Sequence, residues 1–216
     1  MDRFVTREPG RQTRHSFSFG PSYDADRISF GPMVALNDDL LAEGAGYDAH
    51  HHADVVLVTW VVSGALAHED AEGRVVQPVG ELAVTRASSG ITHREYADAP
   101  ATRFVQAWLR PAELGEDPSR TTTTPDLTPD DLVVAADETD LGIPGATCRI
   151  GEIPAGATVS LPEAPLRYVF VTTGALTRSS LAEPLSAGDA FEITGNHEVT
   201  LTAAVPTQLL AWSFAD

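Results

Sequence analysis

Val62-Ser63-Gly64-Ala65-Leu66 recurs as Thr172-Thr173-Gly174-Ala175-Leu176, and this repeat decides the fold. The two copies lie 110 residues apart in a chain of 216 residues. Each copy is reached through a run rich in valine, threonine and aromatic residues, at positions 55–62 and 167–173. Runs of that composition and length are typical of β-strands. Because the spacing between the two copies is about half the length of the chain, the repeat predicts two similar β domains.

The rest of the chain has the same character. Further strand-like runs occur at positions 82–85, 103–109, 190–194, 199–203 and 208–214, separated by glycine-containing turns. We find no convincing amphipathic helix. Short strands at this spacing favour an all-β fold of two jelly-roll β-barrel domains. The stretch from Pro111 to Asp131 is rich in proline, threonine and acidic residues, which predicts domains at 1–115 and 132–216 joined by a linker at 116–131.

Composition narrows the functional classes. The net charge is −17, and all fourteen basic residues are arginine, so a lysine Schiff base is excluded. An acidic surface repels phosphate backbones, which argues against direct nucleic-acid binding. The single Cys148 excludes an internal disulfide, and no run has the length of a membrane span. Residues 1–14 lack the apolar stretch of a signal peptide, so we expect a cytoplasmic protein without membrane contact.

Histidines indicate where the chemistry lies. His50 and His52 form one His-x-His pair, and His93 with Glu95 forms a His-x-Glu pair. Residues i and i+2 of a strand share a face, so two facing strands would bring these four side chains together. Three imidazoles and one carboxylate with open positions suit a catalytic transition metal.

The neighbouring residues receive different predictions. His51 points to the opposite face from its two neighbours and is expected to be exposed, while His68 is expected to decorate a strand end. Val56 and Trp60 share the parity of the predicted ligands and are predicted to line the substrate pocket.

The second half lacks an equivalent of the metal site. The repeat offset places Ser160 and Pro162 at the positions of the His-x-His pair, and Leu201 and Ala203 at those of the His-x-Glu pair. None of these is a good ligand, so we expect the C-terminal domain to keep the fold without the metal. His197 stands in a turn-like Gly-Asn-His-Glu segment and is predicted to be an exposed loop residue.

Several ordered motifs resemble the pirin family, a branch of the cupin superfamily whose members are bicupins. They are Gly46-Tyr47-Asp48-Ala49-His50-His51-His52, Thr59-Trp60-Val61-Val62-Ser63-Gly64, and Ala87-Ser88-Ser89-Gly90-Ile91-Thr92-His93-Arg94-Glu95. The resemblance covers about residues 14–111 through several motifs in the same order, and the rest of the chain more weakly. It implies a divalent metal held by His50, His52, His93 and Glu95, with Fe(II) first and Ni, Co, Mn, Cu or Zn as alternatives. Val56 and Ala53 depart from the glutamate and arginine common in pirins, which bears on substrate and activity.

Two functions follow from the resemblance. The first is a metal-dependent dioxygenase of quercetinase type acting on a flavonol-like aromatic, with Glu95 as general base for the substrate hydroxyl. The second is a non-enzymatic, iron-binding regulatory protein that responds to redox state and acts through a protein partner. Oxygen uptake with candidate flavonols would separate them.

Overall fold

Short runs of β-branched and aromatic residues form strands along most of the chain, because such side chains pack well on a pleated surface. The computed structural model describes residues 4–20, 23–111, 113, 115, 117–177 and 183–215. The described strands are β1 (Phe4–Glu8), β2 (Arg11–His15), β3 (Met33–Leu41), β4 (Gly46–His52), β5 (Val56–Ser63), β6 (Ala65–Asp70), β7 (Gly73–Pro78), β8 (Leu82–Arg86), β9 (Ile91–Ala97), β10 (Thr102–Leu109), β11 (Ser119–Thr123), β12 (Leu132–Ala136), β13 (Thr147–Ile153), β14 (Thr158–Leu161), β15 (Leu166–Thr173), β16 (Ala175–Leu176), β17 (Leu185–Ser186), β18 (Ala190–Thr194), β19 (Val199–Thr202) and β20 (Thr207–Phe214). A short helix, α1 (Glu138–Leu141), lies between β12 and β13. The predicted all-β class is confirmed, and no helix of the described chain could cross a membrane.

The strands form two compact units, one up to Thr124 and the other from Pro125 onward. In the N-terminal unit, a seven-stranded sheet has the order β1-β2-β3-β10-β5-β8-β11 and a four-stranded sheet has the order β4-β9-β6-β7. In the C-terminal unit, a five-stranded sheet has the order β12-β13-β20-β15-β18, with the pairs β14-β19 and β16-β17 beside it. Neighbouring strands in these sheets are antiparallel, as expected for jelly rolls.

The repeated pentapeptide has a structural reason in both units. Gly64 joins β5 to β6 and Gly174 joins β15 to β16, both with positive φ, of 73° and 80°. A Cβ on Gly64 would overlap Thr102, and one on Gly174 would overlap Thr207. Each turn thus needs glycine for its backbone conformation and for the close approach of a threonine.

The predicted linker is partly a strand. β11, within the predicted linker 116–131, pairs with β8 in the N-terminal sheet through all five of its residues. A run of threonines has high β-propensity, and its polarity is acceptable on an edge strand. The N-terminal unit therefore extends to Thr124 instead of ending at 115. Residues 112, 114 and 116 near this boundary lie outside the described residues.

The register of β5 against β10 defines the inward face of the N-terminal unit. Thr59 pairs with Gln106, and the Gln106 amide donates to Thr59 Oγ1 at 3.1 Å. Leu57, two residues before Thr59, points the same way and packs in a buried cluster with Val55 and Ala87. This face looks toward the sheet that carries the predicted ligands, because Gln106 also donates to Glu95.

Candidate metal centre

Pairing of β4 with β9 brings the two ligand motifs side by side. His50 stands directly opposite His93, and an irregularity in register between Tyr47 and His50 sets this alignment. Gly46 begins β4 against the backbone of β9 so closely that any Cβ there would overlap the Glu95 carbonyl and Tyr96. The close approach of the two strands depends on that glycine.

Three imidazoles converge from these strands. His50, His52 and His93 each offer a ring nitrogen, and the three nitrogens lie within 4.8 Å of one another. The ring centroids of His50 and His93 are 4.6 Å apart, and those of His52 and His93 are 5.1 Å apart. His52 and His93 are buried, at 8% and 1% exposure, while His50 is half-buried at the edge of the group.

The protonation of these rings suits a metal. Burial lowers the pKa of His52 and of His93 to about 4, so both are neutral at pH 7. The Nδ1 of His50 lies 2.7 Å from the carbonyl oxygen of Asp48, which can only accept, so this nitrogen carries the proton. In the neutral His50 ring the lone pair is then on Nε2, which lies 3.1 Å from Nε2 of His93. Neutral imidazoles with converging lone pairs are the form that binds metal ions.

A second group adjoins the first through His93. His68, His93 and Glu95 also bring their ligand atoms within 4.8 Å of one another, and all three residues are buried. The prediction that His68 decorates a strand end is wrong, because it is 3% exposed and its Nδ1 lies 3.1 Å from Nδ1 of His93. Its Nε2 lies 3.2 Å from Asp70 Oδ2. The signal for His68 was its two-residue spacing from Leu66, which is also buried.

Glu95 is held as a carboxylate. Burial acts to raise its pKa, but contacts with His68, His93 and Gln106 outweigh burial and lower the pKa to about 2. The Gln106 amide donates to both carboxylate oxygens, at 3.3 and 3.0 Å, and Trp108 Nε1 donates to the Gln106 carbonyl at 2.8 Å. These contacts fix the orientation of the carboxylate, and residue patterns alone did not identify Gln106 or Trp108.

The donor set fits a divalent metal ion. The four predicted ligands do not form one group: His50, His52 and His93 form the first, and Glu95 belongs to the second. His93 is common to both, so the carboxylate lies next to the imidazole cluster. Imidazole and carboxylate donors accept a range of divalent first-row ions, so the set does not identify the metal.

Val56 and Trp60, the predicted pocket residues, do not reach this group. They pair with Leu109 and Val105, whereas the inward-facing Thr59 pairs with Gln106, so they lie on the opposite face of β5. The parity count failed because residues 53–55 connect β4 to β5 outside either strand, with Asp54 at a φ of 60°. Alternation of side chains does not carry across such a break.

Residues predicted to lie away from the centre do so. His51 is exposed and its Nδ1 lies 3.3 Å from Thr92 Oγ1. In the C-terminal unit Ser160 and His197 are exposed, while Leu201 and Ala203 belong to an aliphatic core. Among the described residues, the candidate metal groups lie in the N-terminal unit.

A buried carboxyl supports the start of β4. Asp39 on β3 is 1% exposed and accepts hydrogen bonds from Thr13 Oγ1 at 2.5 Å and from the Tyr47 hydroxyl at 2.6 Å. Burial raises the pKa of Asp39 to about 7 in spite of these two donors. The contact ties the strand that carries His50 to the opposing sheet.

Comparison with known proteins agrees with this geometry. The family model described as Pirin matches residues 1–109, which is half of the chain. The chain belongs to the pirin family. Among pirin relatives, one named "Putative quercetin 2,3-dioxygenase" from Mycobacterium tuberculosis is 37% identical over 98% of this chain and 91% of its own length. A "Pirin-like protein" from Caulobacter vibrioides is 29% identical over 92% and 90% of the two chains.

Solved structures show the same pirin fold. Bacterial pirin YhhW from Escherichia coli, determined in complex with nickel(II), aligns with a TM-score of 0.87 and 23% identity over 99% of this chain and 95% of that chain. A quercetin 2,3-dioxygenase from Acinetobacter baumannii aligns with a TM-score of 0.76 and 19% identity over 100% and 86% of the two chains. The expectation of a pirin from the sequence motifs is confirmed.

Proposed function

We propose that this pirin is a metal-dependent dioxygenase of quercetinase type, with Fe(II) as the resident ion and a flavonol-like aromatic as substrate. His50, His52, His93 and Glu95 are the proposed ligands. The observation that carries the proposal is the convergence of three imidazoles, two of them buried and neutral, beside a buried carboxylate. The names of the relatives support the reaction, and the nickel-bound pirin supports a divalent metal.

The contact between His93 and His68 supports the proposal that His93 binds the metal. When Nε2 of His93 serves as the donor to an ion, its proton resides on Nδ1, which faces His68 Nδ1 at 3.1 Å. His68 then accepts at Nδ1 and donates from Nε2 to Asp70 Oδ2 at 3.2 Å. Each ring nitrogen in this chain has a partner of the right kind, so the protein fixes the orientation of the His93 ring.

An apolar wall beside the histidines suits an aromatic substrate. Val55, Leu57 and Ala87 form a buried cluster against which Ile91 and Trp108 pack. The Trp108 ring lies 4.8 Å from the ring of His52, edge to face. This wall excludes water on one side of the ligands and offers an aromatic face for a flat ring system.

The chain's own groups have definite roles in the proposed reaction. When bound, the ion supplies Lewis acidity toward the substrate enolate and redox access to dioxygen. Glu95 accepts the substrate hydroxyl proton at a carboxylate oxygen, and its low pKa keeps it in the required ionised form. Gln106 holds that carboxylate through its amide nitrogen, and Trp108 prevents the amide from flipping by donating to its oxygen.

Oxygen uptake tests the proposal. Protein loaded with Fe(II) under anaerobic conditions should consume dioxygen and quercetin together when oxygen is admitted, with release of carbon monoxide. Replacing the proposed base in Glu95→Gln should slow turnover by about 10²-fold or more. His51→Ala is the matched control, since His51 is exposed beside the ligands, and it should retain full turnover.

The opposite result would favour the regulatory alternative. Iron-loaded protein that consumes no oxygen with a panel of flavonols would refute the dioxygenase. A protein partner recovered in only one oxidation state of the iron would then support the redox-responsive regulator. A cytoplasmic location is part of the proposal for either function.

A further inference from the structure

Two arginines lie on the inward face of the five-stranded sheet in the C-terminal unit. On β15, Val169 and Val171 belong to the aliphatic core, and Arg167, two residues earlier, points to the same side. On β20, Ala211 belongs to that core, and Ser213, two residues later, shares its face. Arg167 stands directly opposite Ser213, so their side chains are neighbours on that face.

The second arginine, Arg149, contacts Ser213. Arg149 on β13 is opposite Ala211 and therefore also on the inward face. Its Nη1 donates to Ser213 Oγ at 3.5 Å. Arg167 is the strand neighbour of Ser213 on the other side, so the two arginines flank this serine on the inward face of the sheet. Two cations therefore share one end of the C-terminal unit in a chain whose net charge is −17.

Arg167 is buried without adequate partners. Its side chain is 1% exposed, and only Nη2 has a described hydrogen-bond acceptor, the Gly195 carbonyl at 2.8 Å. Its Nε and Nη1 are buried with no hydrogen-bond partner. The exposed Glu163 interacts electrostatically with Arg167. Burial lowers the pKa of Arg167 and of Arg149, which indicates that neither charge is fully compensated.

Unpaired donors on a buried cation are strongly unfavourable. Buried polar groups in native proteins nearly always have a protein, water or ion partner, and a buried charge without one strongly destabilises the fold. A water molecule would satisfy donors but would not compensate two positive charges. An oxyanion would do both, because arginine N–H groups form charge-assisted hydrogen bonds to carboxylate and phosphate oxygens.

We propose that Arg149, Arg167 and Ser213 form an anion-binding site in the C-terminal unit that takes a small oxyanion, a carboxylate or inorganic phosphate. The core beneath the site is aliphatic, including Val159 and Leu201 on β14 and β19. The C-terminal unit thus offers oxyanion recognition where the N-terminal unit offers metal ligation, and the proposal does not depend on the dioxygenase activity.

Titration of the full chain with each probe tests the site. Inorganic phosphate and acetate, each added at constant ionic strength against chloride, should give a saturable heat of binding with at least one of them. Arg149→Met and Arg167→Met should each weaken that binding by roughly tenfold or more, because each removes a charge-assisted contact. The half-buried Arg149 is the safer variant for folding, which circular dichroism checks.

Arg7→Met is the control, because Arg7 is an exposed arginine on β1 of the other unit. It should bind the anion as the wild type does. Binding of phosphate alone or of acetate alone would identify the kind of oxyanion. Absence of binding with both probes, or equal binding in wild type and in both arginine variants, would overturn the proposal and assign the buried donors to water.

Discussion

Asp39 should make the N-terminal unit less stable as the pH rises from 4 to 7. Its pKa of about 7 in the folded protein exceeds the ordinary value of 3.8. Below pH 3.8 the carboxyl is protonated in both the folded and the unfolded state. As the pH rises further, Asp39 ionises first in the unfolded state, which lowers the free energy of unfolding progressively until the folded carboxyl also ionises near pH 7. At 1.36 kcal/mol for each pH unit, the loss is roughly 4 kcal/mol.

Asp39→Asn tests this prediction, because an amide resembles the protonated carboxyl and keeps an oxygen to accept from Thr13 and Tyr47. The free energy of unfolding is measured in urea at several pH values in metal-free protein. A Trp212→Phe background leaves the tryptophan signal to the N-terminal unit.

The variant and its parent should agree near pH 4, and the variant should be more stable by several kcal/mol at pH 8. Other titrating groups, including the two histidines with pKa values near 4, cancel in the difference between the two proteins. The exposed Asp48→Asn is the control and should leave the profile unchanged. Parallel profiles for Asp39→Asn and its parent would refute the raised pKa.

Three further predictions concern the metal centre. His93→Ala and Glu95→Ala should each lower the bound metal sharply in elemental analysis while the circular dichroism spectrum stays that of a β protein, and His51→Ala should retain full metal content. Gly46→Ala should also lower metal content without replacing a ligand side chain, because its Cβ overlaps the backbone of β9, and a wild-type metal content would contradict the required close approach. Trp108→Phe keeps an apolar ring beside the histidines but loses a hydrogen bond, so we expect slower flavonol turnover at unchanged metal content; equal turnover would remove the positioning role.

The sequence was informative where local periodicity determines geometry. The spacing of His50 and His52, and of His93 and Glu95, predicted which side chains share a strand face, and the structure brings the three histidines together. The prediction that Glu95 joins them directly stays a prediction, since in the structure it lies in the adjoining group with His68.

The failures came where periodicity is interrupted or where contacts are distant in sequence. The prediction that Trp60 lines the pocket was wrong, because side-chain alternation does not continue through the connection between β4 and β5. The place of His68 beside the site depends on its pairing with Glu95 on the neighbouring strand, which the sequence does not reveal. Gln106 and Arg167 could not be identified from patterns, because their importance comes from burial and from missing or shared hydrogen-bond partners. Such properties arise only in the folded chain.

The pairing of β11 with β8 determines how this protein can be divided experimentally. A fragment ending at residue 109, where the family match stops, would lack β11 and leave the edge of β8 unpaired. Exposed strand edges of this kind recruit other chains and promote aggregation. The same truncation would remove Arg120, which donates to Gln77 from that strand. A soluble N-terminal fragment for metal titration or crystallisation should therefore extend to Thr124.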